Sequence, residues 1–163
     1  MRILLAITGA SGSIYGLRLL EELLRGDHQV TLVTSESGLE VCRYETGVEL
    51  NDAETLKQRW GLPDASLTIR TVTDLWAPEA SGSAAPEAMV IAPCSMGTVG
   101  RIAAGISGNL IERAADVMLK EQRPLLLLPR ETPFSTIHLE HLLKLSQCGA
   151  RILPAMPGFY HKP

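Results

Sequence analysis

The stretch RILLAITGASGS, residues 2–13, decides the fold. Residues 2–8 form a nearly continuous apolar run of the length of one strand, which is typical of a strand buried on both faces of a parallel sheet. Small residues at 9–13 interrupt the run, and a leucine-rich helical period follows up to Gly26. Residues 29–34 (QVTLVT) return to a strand pattern, so the chain opens with a β-loop-α-β unit.

The alternation of strand and helix continues along the chain. Further strands are predicted at 67–72, 88–92, 125–129 and 150–153, and helices at 36–45, 51–60, 96–104, 109–122 and 135–147. The stretch 76–86 is rich in Ala, Ser, Gly and Pro and is predicted to be a loop. This rhythm favours a three-layer α/β fold, Rossmann-like or flavodoxin-like, with a parallel sheet covered by helices on both faces. No repeat or linker interrupts residues 1–163, which indicates one domain.

Composition and charge narrow the functional classes. The chain has 15 basic and 18 acidic residues, a net charge of -3 and no basic block, so binding to nucleic acid or to an acidic membrane surface has little support. The apolar run at 125–129 is too short to span a bilayer, and the N-terminus lacks a secretory signal pattern. Cys42, Cys94 and Cys148 are widely spaced, which argues against a disulfide framework and a CxxC metal site. We therefore expect a reducing cytoplasm.

The unusual loops all follow predicted strands, at residues 9–13, Ser35, 93–98 and 129–133. Since open parallel sheets bind ligands at the carboxyl ends of their strands, we expect these loops to meet at one edge. The first loop has a GxxGxxxG spacing and not the GxGxxG of dinucleotide-binding proteins. Its hydroxyls and the free amides of the next helix favour a phosphate or another anion, although a tight turn that needs glycine explains the same residues.

Two of these loops contain reactive residue types. Arg130 and Glu131 stand between prolines, where the guanidinium suits a phosphate and the carboxyl could move a proton if burial raises its pKa. A structural Arg–Glu ion pair is the alternative. Cys94 has no His nearby in sequence that would activate it as a nucleophile, so a packed small side chain is favoured. His138 and His141 lack a third metal ligand at a suitable spacing.

Several longer motifs resemble the UbiX-type flavin prenyltransferases over essentially the whole chain. They are TGASG (8–12) with YG (15–16), ASGS (80–83), APCS (92–95), NLIERAADVMLKEQRPLLLLPRETP (109–133) and PGFYH (157–161). The resemblance implies a metal-independent enzyme that joins a dimethylallyl group from dimethylallyl monophosphate to N5 and C6 of reduced FMN, which is a substrate. It also implies a homo-oligomer, a dodecamer in the family, with sites at subunit junctions. A UbiD-type decarboxylase would receive the prenylated FMN, in ubiquinone synthesis or in aromatic-acid degradation.

The resemblance also assigns site residues by position. FMN is expected against Gly9, Ala10, Ser11, Ser35, Ser95, Met96, Gly97, Thr98 and Arg130. The allyl phosphate is expected against Lys120, Arg130 and Tyr160, with Glu45 and Glu131 close to the reacting centre. Cationic groups would stabilise the departing phosphate, and Ser11 and Glu131 could pass a proton between flavin and phosphate. Tyr160 would add an aromatic surface near the allyl cation. By residue type alone, Lys120 and Glu45 would be solvated helix-end charges.

One departure from the family pattern and two rival functions leave alternatives open. The family continues past the equivalent of residue 163 with a C-terminal helix and tail that add a phosphate-binding Arg, so we expect weakened allyl-phosphate binding with FMN binding largely intact. The nearest rival is a flavin-dependent decarboxylase of peptidyl or pantothenoyl cysteine, but residues 154–158 (PAMPG) lack the Asn and the Met-Trp of its motif. A non-catalytic flavin carrier is a third possibility, which the cations Arg130 and Lys120 argue against.

Overall fold

The computed structural model describes residues 1–156, in which strands and helices alternate as the periodicity predicts. The strands are β1 (Arg2–Ile7), β2 (Gln29–Thr34), β3 (Leu67–Arg70), β4 (Ala88–Cys94), β5 (Leu125–Pro129) and β6 (Arg151–Ile152). The helices are α1 (Ser13–Arg25), α2 (Glu36–Thr46), α3 (Ala53–Arg59), α4 (Met96–Ala103), α5 (Leu110–Lys120) and α6 (Thr136–Gln147). The predicted loop at 76–86 contains two short 3-10 turns. No helix within residues 1–156 has the length and apolar character needed to cross a membrane.

The six strands are all parallel and lie in the order β3-β2-β1-β4-β5-β6. This is the Rossmann order and not the flavodoxin order, so the structure decides between the two predicted alternatives. The chain builds outward from β1 to β3 and then, in the opposite direction, from β4 to β6. The order therefore reverses between β1 and β4, where a ligand crevice is expected at the carboxyl ends.

Helices cover both faces of the sheet. Along β1, Leu5 and Ile7 lie in one apolar core with residues of α1, α2 and α3. Leu4 and Ala6 lie in a second core with residues of α4, α5 and α6. The strands are continuous apolar runs because alternate side chains of each strand are buried on opposite faces.

The segment 71–87 returns the chain from β3 to β4. Arg2, at the start of β1, and Arg123, shortly before β5, both donate to the carbonyl of Ala85, at 3.2 and 2.6 Å. The end of this segment therefore lies at the amino edge of the sheet, opposite the crevice.

Candidate active site

Thr8 joins the two loops that flank the crevice between β1 and β4. Thr8 is 1% exposed. Oγ1 donates to the carbonyl of Pro93 at 3.0 Å and accepts from the amide of Ser95 at 2.8 Å. The amide of Thr8 donates to the same carbonyl at 3.2 Å. These bonds fix the start of the first loop against the start of α4, so the predicted flavin residues of both loops share one edge.

Glycines let α1 and α2 approach the strand ends closely. A Cβ on Gly16 would overlap the carbonyl oxygen of Ala92, and a Cβ on Gly9 would overlap the hydroxyl of Ser37. A Cβ on Gly38 would lie 2.6 Å from the carbonyl oxygen at the end of β1. The first glycine of the GxxGxxxG spacing, Gly9, therefore makes room for Ser37. The last, Gly16, lets α1 pack closely against β4, which is the role of the third glycine in Rossmann proteins.

The N-terminus of α1 is occupied by a carboxylate of the protein itself. Gly12, the N-cap, has φ 102°. The amides of Gly12 and Ser13 donate to the carboxylate of Glu45, in the last turn of α2, at 2.9 to 3.1 Å. Partial desolvation raises the pKa of Glu45, but hydrogen bonds from the Ser11 hydroxyl and from these amides outweigh it and hold the pKa below its usual range.

The prediction of free amides at the start of α1 is therefore wrong. The charge of Glu45 satisfies two amides and lies at the positive end of the α1 dipole. An external anion would have to displace this carboxylate. Glu45 is also more than a solvated helix-end charge, because it ties the end of α2 to the first loop.

Helices α2 and α4 begin differently, because the first two amides of each make no hydrogen bond within residues 1–156. Ser35 caps α2, and its Oγ lies 3.3 Å from Oγ of Ser37. Ser95 caps α4, and its Oγ lies 3.0 Å from Oγ1 of Thr98. Two hydroxyl-capped helix N-termini thus flank the loop after β1, an arrangement that suits a phosphate or another anion.

Arg130 and Glu131 follow β5 and are exposed at the same edge. The amide of Arg130 donates to the carbonyl of Cys94 at 3.4 Å, which ties this loop to the end of β4. Among the ion pairs of residues 1–156, none joins Arg130 to Glu131, so the alternative of a structural pair is not supported. Both residues line a cavity of about 350 Å³. Within residues 1–156 of a single copy, Glu131 is exposed, so the burial on which its predicted proton transfer depended is not seen there.

Cys94 and His138 have structural roles. Cys94 is fully buried, and this burial raises the pKa of its thiol to about 12. The prediction that Cys94 is a packed side chain is therefore confirmed, and a raised pKa favours the protonated thiol, which is a poor nucleophile. His138 forms a capping box with Ser135 at the start of α6: each side chain accepts from the other residue's amide.

Lys120 lies at the opposite edge of the sheet. It ends α5, whose first residue, Leu110, donates to a carbonyl just beyond β3 at the crevice edge. The 11 residues of α5 then span about 16 Å towards the amino edge. There the Lys120 ammonium pairs with Glu121, and a Cβ on Gly82 would lie 2.9 Å from Nζ. One copy of the chain therefore does not bring Lys120 and Arg130 together.

Comparisons with known proteins agree with the family resemblance of the sequence motifs. A family model described as Flavoprotein matches residues 1–161. The flavin prenyltransferase UbiX of Pseudomonas aeruginosa is 52% identical over 167 residues, which cover 99% of this chain and 80% of that protein. The chain belongs to the UbiX flavin prenyltransferase family.

Two solved UbiX-type structures share the fold. AnUbiX in complex with FMN and dimethylallyl pyrophosphate matches with a TM-score of 0.87 at 39% identity, over 98% of this chain and 80% of that one. A dodecameric FMN-dependent UbiX-like decarboxylase from Escherichia coli matches with a TM-score of 0.89 at 38% identity, over 100% and 85%.

The residues expected from the UbiX resemblance fall into separate groups in the structure. Those at the carboxyl edge are Gly9, Ala10, Ser11, Ser35, Ser95, Met96, Gly97, Thr98, Arg130 and Glu131, and Glu45 reaches this edge from α2. Lys120 is at the other edge, and Tyr160 lies outside the described residues. Sequence reasoning missed Thr8 and Ser37. The Ser-x-Ser spacing directly after β2 could have indicated Ser37, whereas a Thr at a strand end carries no local sign of its bridging role.

Proposed function

We propose that this chain transfers a dimethylallyl group from dimethylallyl monophosphate to N5 and C6 of reduced FMN, with residues 1–163 acting as one flavin-binding domain. One observation carries the proposal. Two hydroxyl-capped helix starts and the Arg130–Glu131 loop meet at the switch point of a Rossmann-ordered sheet in a UbiX-family chain. A solved relative with 39% identity binds FMN and dimethylallyl pyrophosphate, which are the same two classes of ligand.

The start of α2 suits the phosphate of FMN. Because Gly9 has no side chain, the hydroxyl of Ser37 can approach the first loop, and the hydroxyls of Ser35 and Ser37 lie 3.3 Å apart beside the unbonded first amides of α2. Glu45 already places a negative charge at the start of α1, which disfavours a phosphate there. Ala10, Ser11 and residues 95–98 would then hold the remainder of the FMN. The side chains of Met96 and Thr98 are buried, so their contribution would come largely from the backbone.

The allyl phosphate is proposed to bind Arg130, with Lys120 and Tyr160 as further ligands. Because Lys120 lies at the far edge of its own chain, we propose that a neighbouring copy supplies it in a homo-oligomer. The dodecameric state of the UbiX-like decarboxylase from Escherichia coli supports such an assembly. The guanidinium and the ammonium would stabilise the charge that develops on the departing phosphate.

Reduced FMN supplies the nucleophilic atoms, and the chain supplies orientation and proton transfer. Glu45 anchors the first loop through the amides of Gly12 and Ser13, and the nearby Ser11 hydroxyl, which contributes to the lowered pKa of Glu45, is proposed to pass a proton between flavin and phosphate. Glu131, which is exposed in a single copy, is proposed to exchange a proton with the phosphate once the ligands and a neighbouring copy cover it. The two carboxyl groups thus have different proposed roles: Glu45 holds the first loop through the amides of Gly12 and Ser13, and Glu131 acts at the leaving group.

We also propose that the prenylated FMN passes to a UbiD-type decarboxylase in a reducing cytoplasm. Cys42, Cys94 and Cys148 are free thiols, and Cys148 is exposed. Free thiols of this kind suit a reducing compartment.

The test is anaerobic incubation with reduced FMN and dimethylallyl monophosphate, followed by mass spectrometry of the released flavin. We expect a gain of one C5 unit, and a parallel reaction with dimethylallyl pyrophosphate distinguishes the two donors. Glu131→Gln should slow the gain by about 10²- to 10⁴-fold, as for the loss of a general acid, and leave FMN bound. Glu140→Gln, on the exposed side of α6, is the matched control and should react at the parent rate. Bound FMN that stays unmodified with both donors would refute the transferase and favour a flavin carrier.

A further inference from the structure

Helix α4 carries a cation beside the turn that the proposed function places against the flavin. Arg101 lies one helical turn after Gly97 and on the same face of α4. A Cβ on Gly97 would lie 3.4 Å from Nη1 of Arg101, and Nη2 lies 3.5 Å from Oγ1 of Thr98. The Arg101 side chain is 47% exposed, so its guanidinium borders the first turn of α4 and also faces solvent.

A buried carboxylate on α5 holds this guanidinium. Glu112 is 2% exposed and accepts from Nε of Arg101, from the amide of Gly108 at 2.8 Å and from the side-chain amide of Asn109 at 2.9 Å. The three donors hold the carboxylate in one orientation, and the Nε–H of Arg101 is used in the hydrogen bond to it. Nη1 makes no hydrogen bond within residues 1–156, so its donors remain available beside Gly97.

We propose that Arg101 contacts the flavin and favours the reduced, anionic form over the oxidised form, and that Glu112 is the residue that positions Arg101. This inference rests on the proposed function, which uses reduced FMN as the substrate. Reduction to the hydroquinone anion adds a negative charge to the pyrimidine side of the flavin ring. A guanidinium and a helix N-terminus both stabilise such an anion. The oxidised ring is neutral and gains less from either group.

The experiment compares the affinities of the full chain for oxidised FMN and for anaerobically reduced FMN. The association constant for reduced FMN divided by that for oxidised FMN should exceed one in the parent. This ratio should fall about tenfold in Arg101→Gln, which corresponds to a shift of about 30 mV in the midpoint potential of a two-electron couple. Arg101→Lys keeps the charge but loses the planar fork, so its ratio should be intermediate. Glu112→Gln should also lower the ratio. The double variant should fall no further than Arg101→Gln, because Glu112 acts through Arg101.

Glu21→Gln is the matched control. Glu21 is also a buried carboxylate, 8% exposed, but it pairs with Arg18 and Arg25 on α1, away from α4. This variant should lose stability and keep the parent ratio. If the ratio falls equally in Glu21→Gln, general destabilisation accounts for the effect and the inference is overturned.

The outcomes separate the inference from the function on which it rests. An unchanged ratio in Arg101→Gln, with FMN still bound, overturns the role of Arg101 and leaves the prenyltransferase standing. A parent chain that binds neither form of FMN overturns both. Arg101 is half-exposed, so its two variants decide the question even if Glu112→Gln does not fold.

Discussion

Replacing Thr8 with Val tests how the two flavin loops are held together. Val has nearly the same shape but lacks Oγ1, so the amide of Ser95 loses its acceptor at 2.8 Å and the carbonyl of Pro93 keeps only the Thr8 amide. Thr8 is 1% exposed, so water cannot readily take the place of the hydroxyl. An unpaired buried amide costs roughly 1–3 kcal/mol. We therefore expect Thr8→Val to lower the free energy of unfolding by about 2–3 kcal/mol.

The assay is urea unfolding at one fixed protein concentration, since association would shift the apparent stability. For a chain of this length, the expected loss lowers Tm by roughly 4–12 °C. Thr8→Ser is the control, because it keeps the hydroxyl and loses one methyl group, at a cost of about 1 kcal/mol. FMN affinity should fall in Thr8→Val and change little in Thr8→Ser. If Thr8→Val loses no more stability than Thr8→Ser, the hydroxyl bridge does not hold the loops and the reasoning is refuted.

Three further predictions follow from packing and charge. The new Cβ of Gly16→Ala would overlap a backbone carbonyl of β4, so this variant should lose about 1–3 kcal/mol of unfolding free energy in urea. Gly47→Ala is the control: no atom lies within 4 Å and φ is +70°, so it should lose less, about 1 kcal/mol from backbone strain. Equal losses in the two variants would contradict the close approach of α1 to β4. Hydrogen bonds lower the pKa of folded Glu45, so its contribution is complete above the unfolded pKa of about 4.3 and is lost as pH falls through the folded pKa. Glu45→Gln should thus be about 0.5–1 kcal/mol less stable than the parent at pH 7, with a gap that narrows in acid; a gap that widens there would count against an ionised cap. Maleimide at neutral pH should label exposed Cys148 quickly and Cys94 only after unfolding, and rapid labelling of Cys94 in the folded protein would contradict its high pKa.

The strands could be predicted from sequence because burial on both faces leaves an uninterrupted apolar run. All six predicted strands are present, with bounds that differ by a few residues. At 67–72 the prediction was two residues too long, and at 88–92 it was two too short because β4 continues through a proline. The strand order was not predictable. It depends on the path of the segment 71–87, which has neither a helical nor a strand period.

The candidate site could be predicted only in part, since local patterns locate loops but not the contacts between them. The loops after β1, β2, β4 and β5 do meet at one edge, as strand ends in a parallel sheet must. Which helix N-terminus stays open was not predictable, because Glu45 is 33 residues from Gly12 in sequence. Lys120 was correctly placed at a helix end. Nothing in its neighbourhood indicates that this end lies at the far edge of the sheet.

The carboxylate at the start of α1 also bears on which nucleotides the fold accepts. In Rossmann proteins that bind NAD or FAD, the pyrophosphate bridge of the dinucleotide sits at the N-terminus of this first helix. Here Glu45 already lies there as an anion, so a pyrophosphate bridge would meet charge repulsion and two amides that are already bonded. We therefore expect the site to discriminate against dinucleotides and to favour a mononucleotide, whose single phosphate can reach α2 instead. A single glutamate from α2 would thus adapt a fold that commonly binds dinucleotides to bind a mononucleotide.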